Sequence, residues 1–265
     1  MPIKIEVQLR IPAFSNSYHS PRTEQTWLAS HFPTLAFYSK LVSVVWKASL
    51  EAKKNQYTSA SMARDSQNIF RDLESVGVRF YIDNLKVLQD LKKPCVFIGN
   101  HMSALETFIL PGILQPFQEI TFVVKKSLMS YPVFKHVMIS QNPVVVGRKN
   151  PREDLRTVLD QGLDRLRQKI SVVIFPQHTR TLDLDVSHFN TLGIKLAQRA
   201  GVPVIPIALR TDAWGNGPLI KDFGRIGPEK PVRFYFGDPL TIKKNVREIH
   251  QHIVSLIKDK LNEWF

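Results

Sequence analysis

A series of short apolar runs restricts the fold more than any other feature: CVFIG (95–99), ITFVV (120–124), NPVVVG (142–147), SVVIF (171–175), VPVIPIAL (202–209) and VRFYFG (232–237). None shows the polar alternation of a strand with one wet face, so each reads as a strand buried on both sides. Between them lie stretches with helical spacing, at 104–114, 127–138, 151–168 and 188–200, with a last one at 245–264. A helix at 61–77, carrying Met62, Ile69, Phe70 and Leu73 on one face, and a strand at VRFYI (78–82) precede the series. This order predicts an α/β domain with a mostly parallel central sheet flanked by helices. The 265 residues, 43% of them hydrophobic, suffice for one large core, and no internal repeat or low-complexity tract interrupts it.

The N-terminal part reads differently. Residues 1–22, with Pro2, Pro12, Pro21 and the patch SNSYHS, are expected to be irregular and to bury little. A helix follows at 34–54 with Thr34 as its N-cap, and WLASHF just before Pro33 is expected to add a short partner helix. In the 34–54 helix Lys40, Ser43, Lys47, Glu51 and Lys54 form a narrow polar stripe, and Phe37, Tyr38 and Trp46 belong to a wide apolar face. Two readings fit: an ordinary packing helix, or an interfacial helix whose lysines meet lipid headgroups above sunken aromatics, with Trp27 and Trp46 as anchors. The expected division is therefore 1–55, a lead-in with amphipathic membrane-associating helices, and 56–265, the α/β domain.

A formal net charge of +13 points to an anionic partner: nucleic acid, a phospholipid surface or a phosphorylated small molecule. The basic residues are dispersed and no nucleic-acid module is recognisable, so nucleic acid is not the expected partner. The single cysteine, Cys95, excludes an intrachain disulfide framework, and its apolar run makes it an inert buried thiol. The first residues lack the apolar segment of a secretory signal, and no window reaches the length of a spanning helix. A protein of this kind that uses membranes is expected to lie on them.

In parallel sheets ligands gather beyond the carboxyl ends of the strands. After CVFIG come Asn100, His101, Ser103 and Glu106, and a carboxylate on one imidazole nitrogen would fix the tautomer and make the other nitrogen a better base. Ser103 is a poor nucleophile candidate without a G-x-S-x-G elbow, and no H-E-x-x-H or similar set suggests a metal. Alone, such a His and Glu are more often structural. Support comes from PQHTRT after SVVIF and from Gly147-Arg148 after NPVVV, which put Arg148 and Arg180 beyond two further strands. Guanidinium groups suit bidentate capture of phosphate. His136, His188, His250 and His252 fit no such pattern.

Four blocks in order, spanning roughly residues 60–240, resemble those of the glycerolipid acyltransferases of the glycerol-3-phosphate and lysophosphatidic acid acyltransferase type. NHMSALE resembles the family's NH-x-S-x-x-D, VVVGR its apolar strand ending in arginine, FPQHTRT its F-P-E-G-T-R-S, and VPVIPIAL its V-P-[IV]-x-P-V-[AS]. Lys125 in VVKKSL and FGDPL at 236–240 also stand where such enzymes often carry a lysine and a strand-end turn. The resemblance implies a glycerol-3-phosphate acyltransferase-like fold. It also implies one-step transfer of a fatty acyl group from acyl-CoA or acyl-carrier protein to the hydroxyl of a lysophospholipid, with lysophosphatidic acid to phosphatidic acid as the expected conversion.

In that scheme His101, oriented by Glu106, is the base, and no cofactor or metal is needed beyond the thioester co-substrate. Arg148, Arg180 and Lys125 hold the acceptor's phosphate. Gln177 and Thr179 belong to the substrate-binding set, with backbone N–H groups near Pro176–Thr179 facing the oxyanion, and Asn100 and Ser103 shape the turn within the same set. The expected location is peripheral, on an anionic membrane at its cytoplasmic face.

Three departures stand out: Glu106 replaces the usual aspartate, Gln177 the glutamate and His178 the glycine. Loss of the glutamate would remove an acceptor for substrate hydroxyls. The departures suggest altered acceptor specificity, with a catalytically silent lipid-binding relative as the alternative. Pro203 and Pro206 mark VPVIPIAL as an edge or bulged strand.

Overall fold

The computed structural model describes residues 15–131, 134–177, 179–218, 220–242 and 245–265. In chain order the elements are β1 (Ser17–His19), α1 (Trp27–His31), α2 (Pro33–Lys53), α3 (Ser59–Ser75), β2 (Phe80–Asp83), α4 (Lys86–Gln89), β3 (Val96–Gly99) and α5 (Leu105–Leu114). They continue with β4 (Ile120–Lys125), α6 (Phe134–Ser140), β5 (Val144–Val146), α7 (Pro151–Arg167), β6 (Ser171–Ile174), α8 (Leu192–Ala200), β7 (Val204–Arg210), β8 (Val232–Phe236) and α9 (Val246–Trp264). Each apolar run is a strand. The stretch at 127–138 is divided, because Tyr131 precedes a proline and is extended, ending a 3-10 turn at Lys126–Ser130 before α6 begins.

Among the described residues the strands form one eight-stranded sheet in the order β1-β2-β8-β7-β3-β6-β4-β5. The pairs from β7 to β5 are all parallel, and β2 pairs parallel with β8; β7–β8 and β1–β2 are antiparallel. Alternate strand residues face opposite layers. Phe97, Val173, Ile205 and Ile207 pack with α2, α3 and α5, whereas Val96, Ile98, Val172 and Ile174 pack with α7, α8 and α9. That two-sided burial is why the runs lack polar alternation. It also sets the site, because β6, β3 and β7 lie side by side and deliver the segments after them to one edge.

Three expectations are corrected. Residues 1–14 of the lead-in lie outside the described residues, but the part from 15 is not irregular throughout: β1 pairs with β2, and the buried Tyr18 donates its hydroxyl to the buried Glu74 at 2.7 Å. Phe37 of α2 is fully buried against Trp214, so α2 contributes to the core of the domain. Thr34 does not cap α2; Phe32 holds that position ahead of Pro33, and Thr34 Oγ1 accepts from Ile226 N at 3.1 Å. Finally, β7 is central and not an edge. Its ladder with β8 starts at Ile207, so Pro206 stands one residue outside it, where its carbonyl accepts from Gly237 N at 2.8 Å.

Helix α2 carries two apolar faces. One face buries Ala36, Phe37, Leu41, Ala48 and Ala52 in the domain, while Leu35, Val42, Trp46 and Leu50 stay exposed on another, next to exposed Trp27, Leu28 and Phe32 around α1. Among the described residues no helix is long and apolar enough to cross a membrane.

Cys95 is fully buried at the start of β3, and burial pushes its thiol up to about 12. The folded protein is expected to resist a thiol reagent at about pH 8 and to react with it on unfolding. Labelling of the native protein would show that this layer opens.

Candidate active site

The turn after β3 is built around one carboxylate. Glu106, in the first turn of α5 and fully buried, accepts from His101 Nδ1 at 2.8 Å, Met102 N at 2.7 Å and Ser103 N at 3.0 Å on Oε1. Its Oε2 accepts from Thr211 Oγ1 at 2.6 Å and Ser103 Oγ at 3.1 Å. Burial pushes this carboxyl up, but the hydrogen bond and charge of His101, with the Thr211 and Ser103 bonds, outweigh it and leave Glu106 below its ordinary value. The extra methylene relative to aspartate does not prevent contact with the ring.

With Nδ1 held by Glu106, Nε2 of His101 has no hydrogen-bond partner among the described residues, and the ring lines a cavity of about 520 Å3. The ring lies flat on Phe175, centroids 4.6 Å apart and planes 7° apart. Since β3 and β6 are parallel neighbours, the residues that follow them meet in this way. His101 is therefore held in plane by stacking and in rotation by Glu106.

The backbone of His101 is clamped as well. Gln177, also buried, accepts from His101 N through Oε1 at 2.7 Å and donates from Nε2 to Thr181 Oγ1 at 2.7 Å, while Thr181 N donates to His101 O at 3.0 Å. This corrects the role expected of Gln177: it does not line the cavity or offer an acceptor to a substrate hydroxyl. The clamp needs an acceptor oxygen, which a glutamine carbonyl supplies. His178 lies outside the described residues.

Asn100 and Ser103, grouped above with the substrate-binding residues, are buried and do not line the cavity. Asn100 donates to Leu209 O and accepts from Leu209 N, both at 2.8 Å, splicing the end of β3 to β7. Ser103 donates to Thr211 O at 2.9 Å and accepts from Leu105 N at 3.0 Å, starting α5. Both shape the turn, as expected of them.

The cations do converge. Lys125 at the end of β4, Arg148 after β5, and Thr179 and Arg180 after β6 line the same cavity as His101. Arg148 sits in the left-handed region at φ 56°, held by Asp154 Oδ1, which accepts from Gly147 N at 2.9 Å and Arg148 N at 3.2 Å. Burial lowers the Arg148 guanidinium from its ordinary value, with Asp154 acting the other way. The rest of the cavity is mainly apolar, walled by Leu41, Val45 and Ala48 of α2, Ile69 of α3, and Phe108 of α5, with Asp65, Gln141, Lys221 and Asp222 among the polar groups on it. None of His136, His188, His250 and His252 lines it, and the described residues hold no cluster fit for a metal ion.

Sequence reasoning missed Thr211, Trp214, Lys221 and Asp222. Thr211 directly follows β7 and could have been found by the strand-end rule applied elsewhere. Lys221 and Asp222 lie in a loop between β7 and β8 and carry no pattern that marks them; Lys221 Nζ donates to Thr179 Oγ1 at 3.1 Å, and Asp222 pairs with Arg180.

A protein-family model described as Acyltransferase matches residues 77–210, just over half of the chain. The 1-acyl-sn-glycerol-3-phosphate acyltransferase of Pseudomonas aeruginosa is 33% identical over 132 residues, 50% of this chain and 49% of that protein. The protein of the same name from Saccharomyces cerevisiae is 31% identical over 137 residues, 51% of this chain and 44% of that protein. The chain thus aligns with about half the length of these curated relatives. The crystal structure of the 1-acyl-sn-glycerophosphate (LPA) acyltransferase PlsC from Thermotoga maritima matches with a TM-score of 0.62 at 18% identity, covering 87% of this chain and 93% of that one, which shows a shared fold.

Replacing Glu106→Gln points an amide at donors of the turn and is expected to destabilise the protein by about 2 kcal/mol in denaturant titration. Glu106 also carries a pH signature. Its folded pKa lies below the ordinary 4.5, so its stabilisation is present above that pH and is lost as pH falls through the folded value. The variant should lack that part of the acid limb, and an unchanged acid limb counts against the network.

Proposed function

The chain belongs to the Acyltransferase family, and from that premise we propose that it moves a fatty acyl group from a thioester to the free hydroxyl of a lysophospholipid, converting lysophosphatidic acid to phosphatidic acid. One observation carries the reading: the open nitrogen of a carboxylate-held imidazole faces a cavity whose rim holds Lys125, Arg148 and Arg180 and whose body is apolar. An anionic head joined to an acyl chain matches both parts of that cavity.

In this reading His101 Nε2 takes the proton of the acceptor hydroxyl as its oxygen bonds to the thioester carbonyl carbon. The carbon–sulfur bond of the tetrahedral intermediate then breaks, and the imidazolium returns the proton to the departing thiolate. An ester and a free thiol result, with no acyl-enzyme. Glu106 stabilises the imidazolium and keeps Nδ1–H pointed away from the substrate. Acyl-CoA and acyl-carrier protein both fit as donors. Gln177 preserves the clamp on His101, which favours an active enzyme over a silent relative.

We further assign the protein to an anionic membrane surface at the cytoplasmic face. The exposed strip of Leu35, Val42, Trp46 and Leu50, with Trp27, would enter the interface. Exposed Lys47, Lys53 and Lys54 would meet anionic headgroups at about 1 kcal/mol each. Lys40 is engaged instead with Asp72 and Ser75 of α3.

His101→Ala is expected to lower acylation of lysophosphatidic acid by about 10^3-fold or more while leaving vesicle binding and a cooperative melting transition in place, the latter at a lower temperature because Glu106 loses its imidazole partner. Turnover within tenfold of wild type would remove His101 from the chemistry. Because α2 is part of the core, the anchor is tested by substitution and not by truncation. Trp27→Ser with Trp46→Ser should weaken binding to phosphatidylglycerol-containing vesicles about tenfold in flotation, and undiminished flotation would locate the anchor elsewhere.

A further inference from the structure

The loop from Gly215 to Arg225 carries Lys221 and Asp222 to the cavity and lies beyond the residues matched to the family. Its ends are drawn together by the bridge between Trp214 and Ile226 and by Gly215 N donating to Arg225 O at 2.9 Å. The two arms approach so closely that a Cβ at Gly224 would overlap Gly215 O, which requires glycine there. Tyr38 of α2 donates its hydroxyl to Gly224 O at 2.7 Å, and Trp214 Nε1 donates to Asp222 O at 3.0 Å. The carbonyl of Asp222 and the backbone two residues beyond it are thus held by Trp214 and Tyr38.

What this construction holds in place is a carboxylate against one of the cavity's cations. Asp222 Oδ1 accepts from Arg180 Nη1 at 2.6 Å, with side chains only 27% and 15% exposed. The contact uses one atom on each side. Nε and Nη2 of Arg180 have no partner among the described residues, so one edge of the guanidinium keeps two donors.

We propose that Asp222 is the charge-discriminating residue of the acceptor site: it holds Arg180 by one nitrogen, leaves the Nε–Nη2 edge for phosphate, and opposes the second negative charge of a phosphate monoester. The inference rests on the reading that the acceptor's phosphate binds in this cavity. Acceptor and product carry the same headgroup, so a site with uncompensated cations would retain the product; a fixed carboxylate tempers that affinity. Asn at this position would keep an oxygen for Arg180 while removing the charge, which separates positioning from repulsion.

The probe is sn-glycerol 3-phosphate, titrated calorimetrically into the full-length wild-type and Asp222→Asn proteins. The other titratable and charged groups on the cavity are Tyr57, Asp65, His101, Lys125, Tyr131, Arg148, Arg180 and Lys221, with Tyr38 near Asp222, and all are common to both proteins. The variant is expected to bind about tenfold more tightly at about pH 7.5, where the ester is a dianion, and about threefold or less at about pH 5.5, where the second charge is mostly gone. Equal or weaker binding by the variant at both pH values overturns the assignment, since a strut that only supports the loop predicts no gain.

A measurement on the wild type alone covers the case in which the variant does not fold. Its affinity should change by no more than about threefold between the two pH values, and a gain of about tenfold on the dianion would show that the site rewards the second charge, overturning the assignment. If the wild type binds no phosphate ester and acylates no phosphate-bearing acceptor, the acceptor reading falls together with this one. If it does both while the Asp222 results fail, only the Asp222 assignment is lost.

Discussion

The site depends on a single buried carboxylate. Glu106 gathers donors from the turn after β3 and from the segment after β7, so two pieces of chain distant in sequence converge on its two oxygen atoms. An ionised carboxylate in the interior is costly unless its lone pairs are filled, and here donated hydrogen bonds and the imidazole fill them. The arrangement sets the tautomer and rotation of His101, begins α5 and ties the end of β7 to the same point. Gln177 adds a second restraint on the His101 backbone, and Phe175 a third on the ring.

Around that point the cavity has two characters, each traceable to topology. The parallel strands β3, β6, β4 and β5 end on one side, which brings His101, Arg180, Lys125 and Arg148 to a common rim although they are distant in sequence. Helices α2, α3 and α5 cover one sheet face and supply the apolar wall. Helix α2 serves both sides of that wall, because one of its faces joins the core while Leu35, Val42, Trp46 and Leu50 face outward.

Much of this was legible along the chain. The runs from CVFIG to VRFYFG announced strands because burial on both sides, complete in β3 and β6 and partial in β4, β5 and β8, leaves few wet positions, and the strand-end rule then led to His101, Arg148 and Arg180. The first residues were misjudged: SYH is too short to carry a pattern, and its place as β1 comes from pairing with β2 and from the Tyr18–Glu74 hydrogen bond. Pro206 suggested an edge strand, but a proline disturbs only the donor at its own position, and the β8 ladder begins one residue later.

By itself, then, the sequence determined most of the elements, their α/β order and the pairing of His101 with Glu106, since these follow from local periodicity and from residue types at strand ends. Tertiary structure alone decided which polar groups are spent internally and which remain for a ligand. Asn100, Ser103 and Gln177 turn inward to satisfy backbone groups of neighbouring segments, while Lys221 and Asp222 arrive at the cavity from a loop with no signature. Hydrogen bonding is short-ranged and directional, so whether a polar side chain serves the fold or a substrate depends on which distant backbone lies about 3 Å away, a relation that spacing along the chain does not encode.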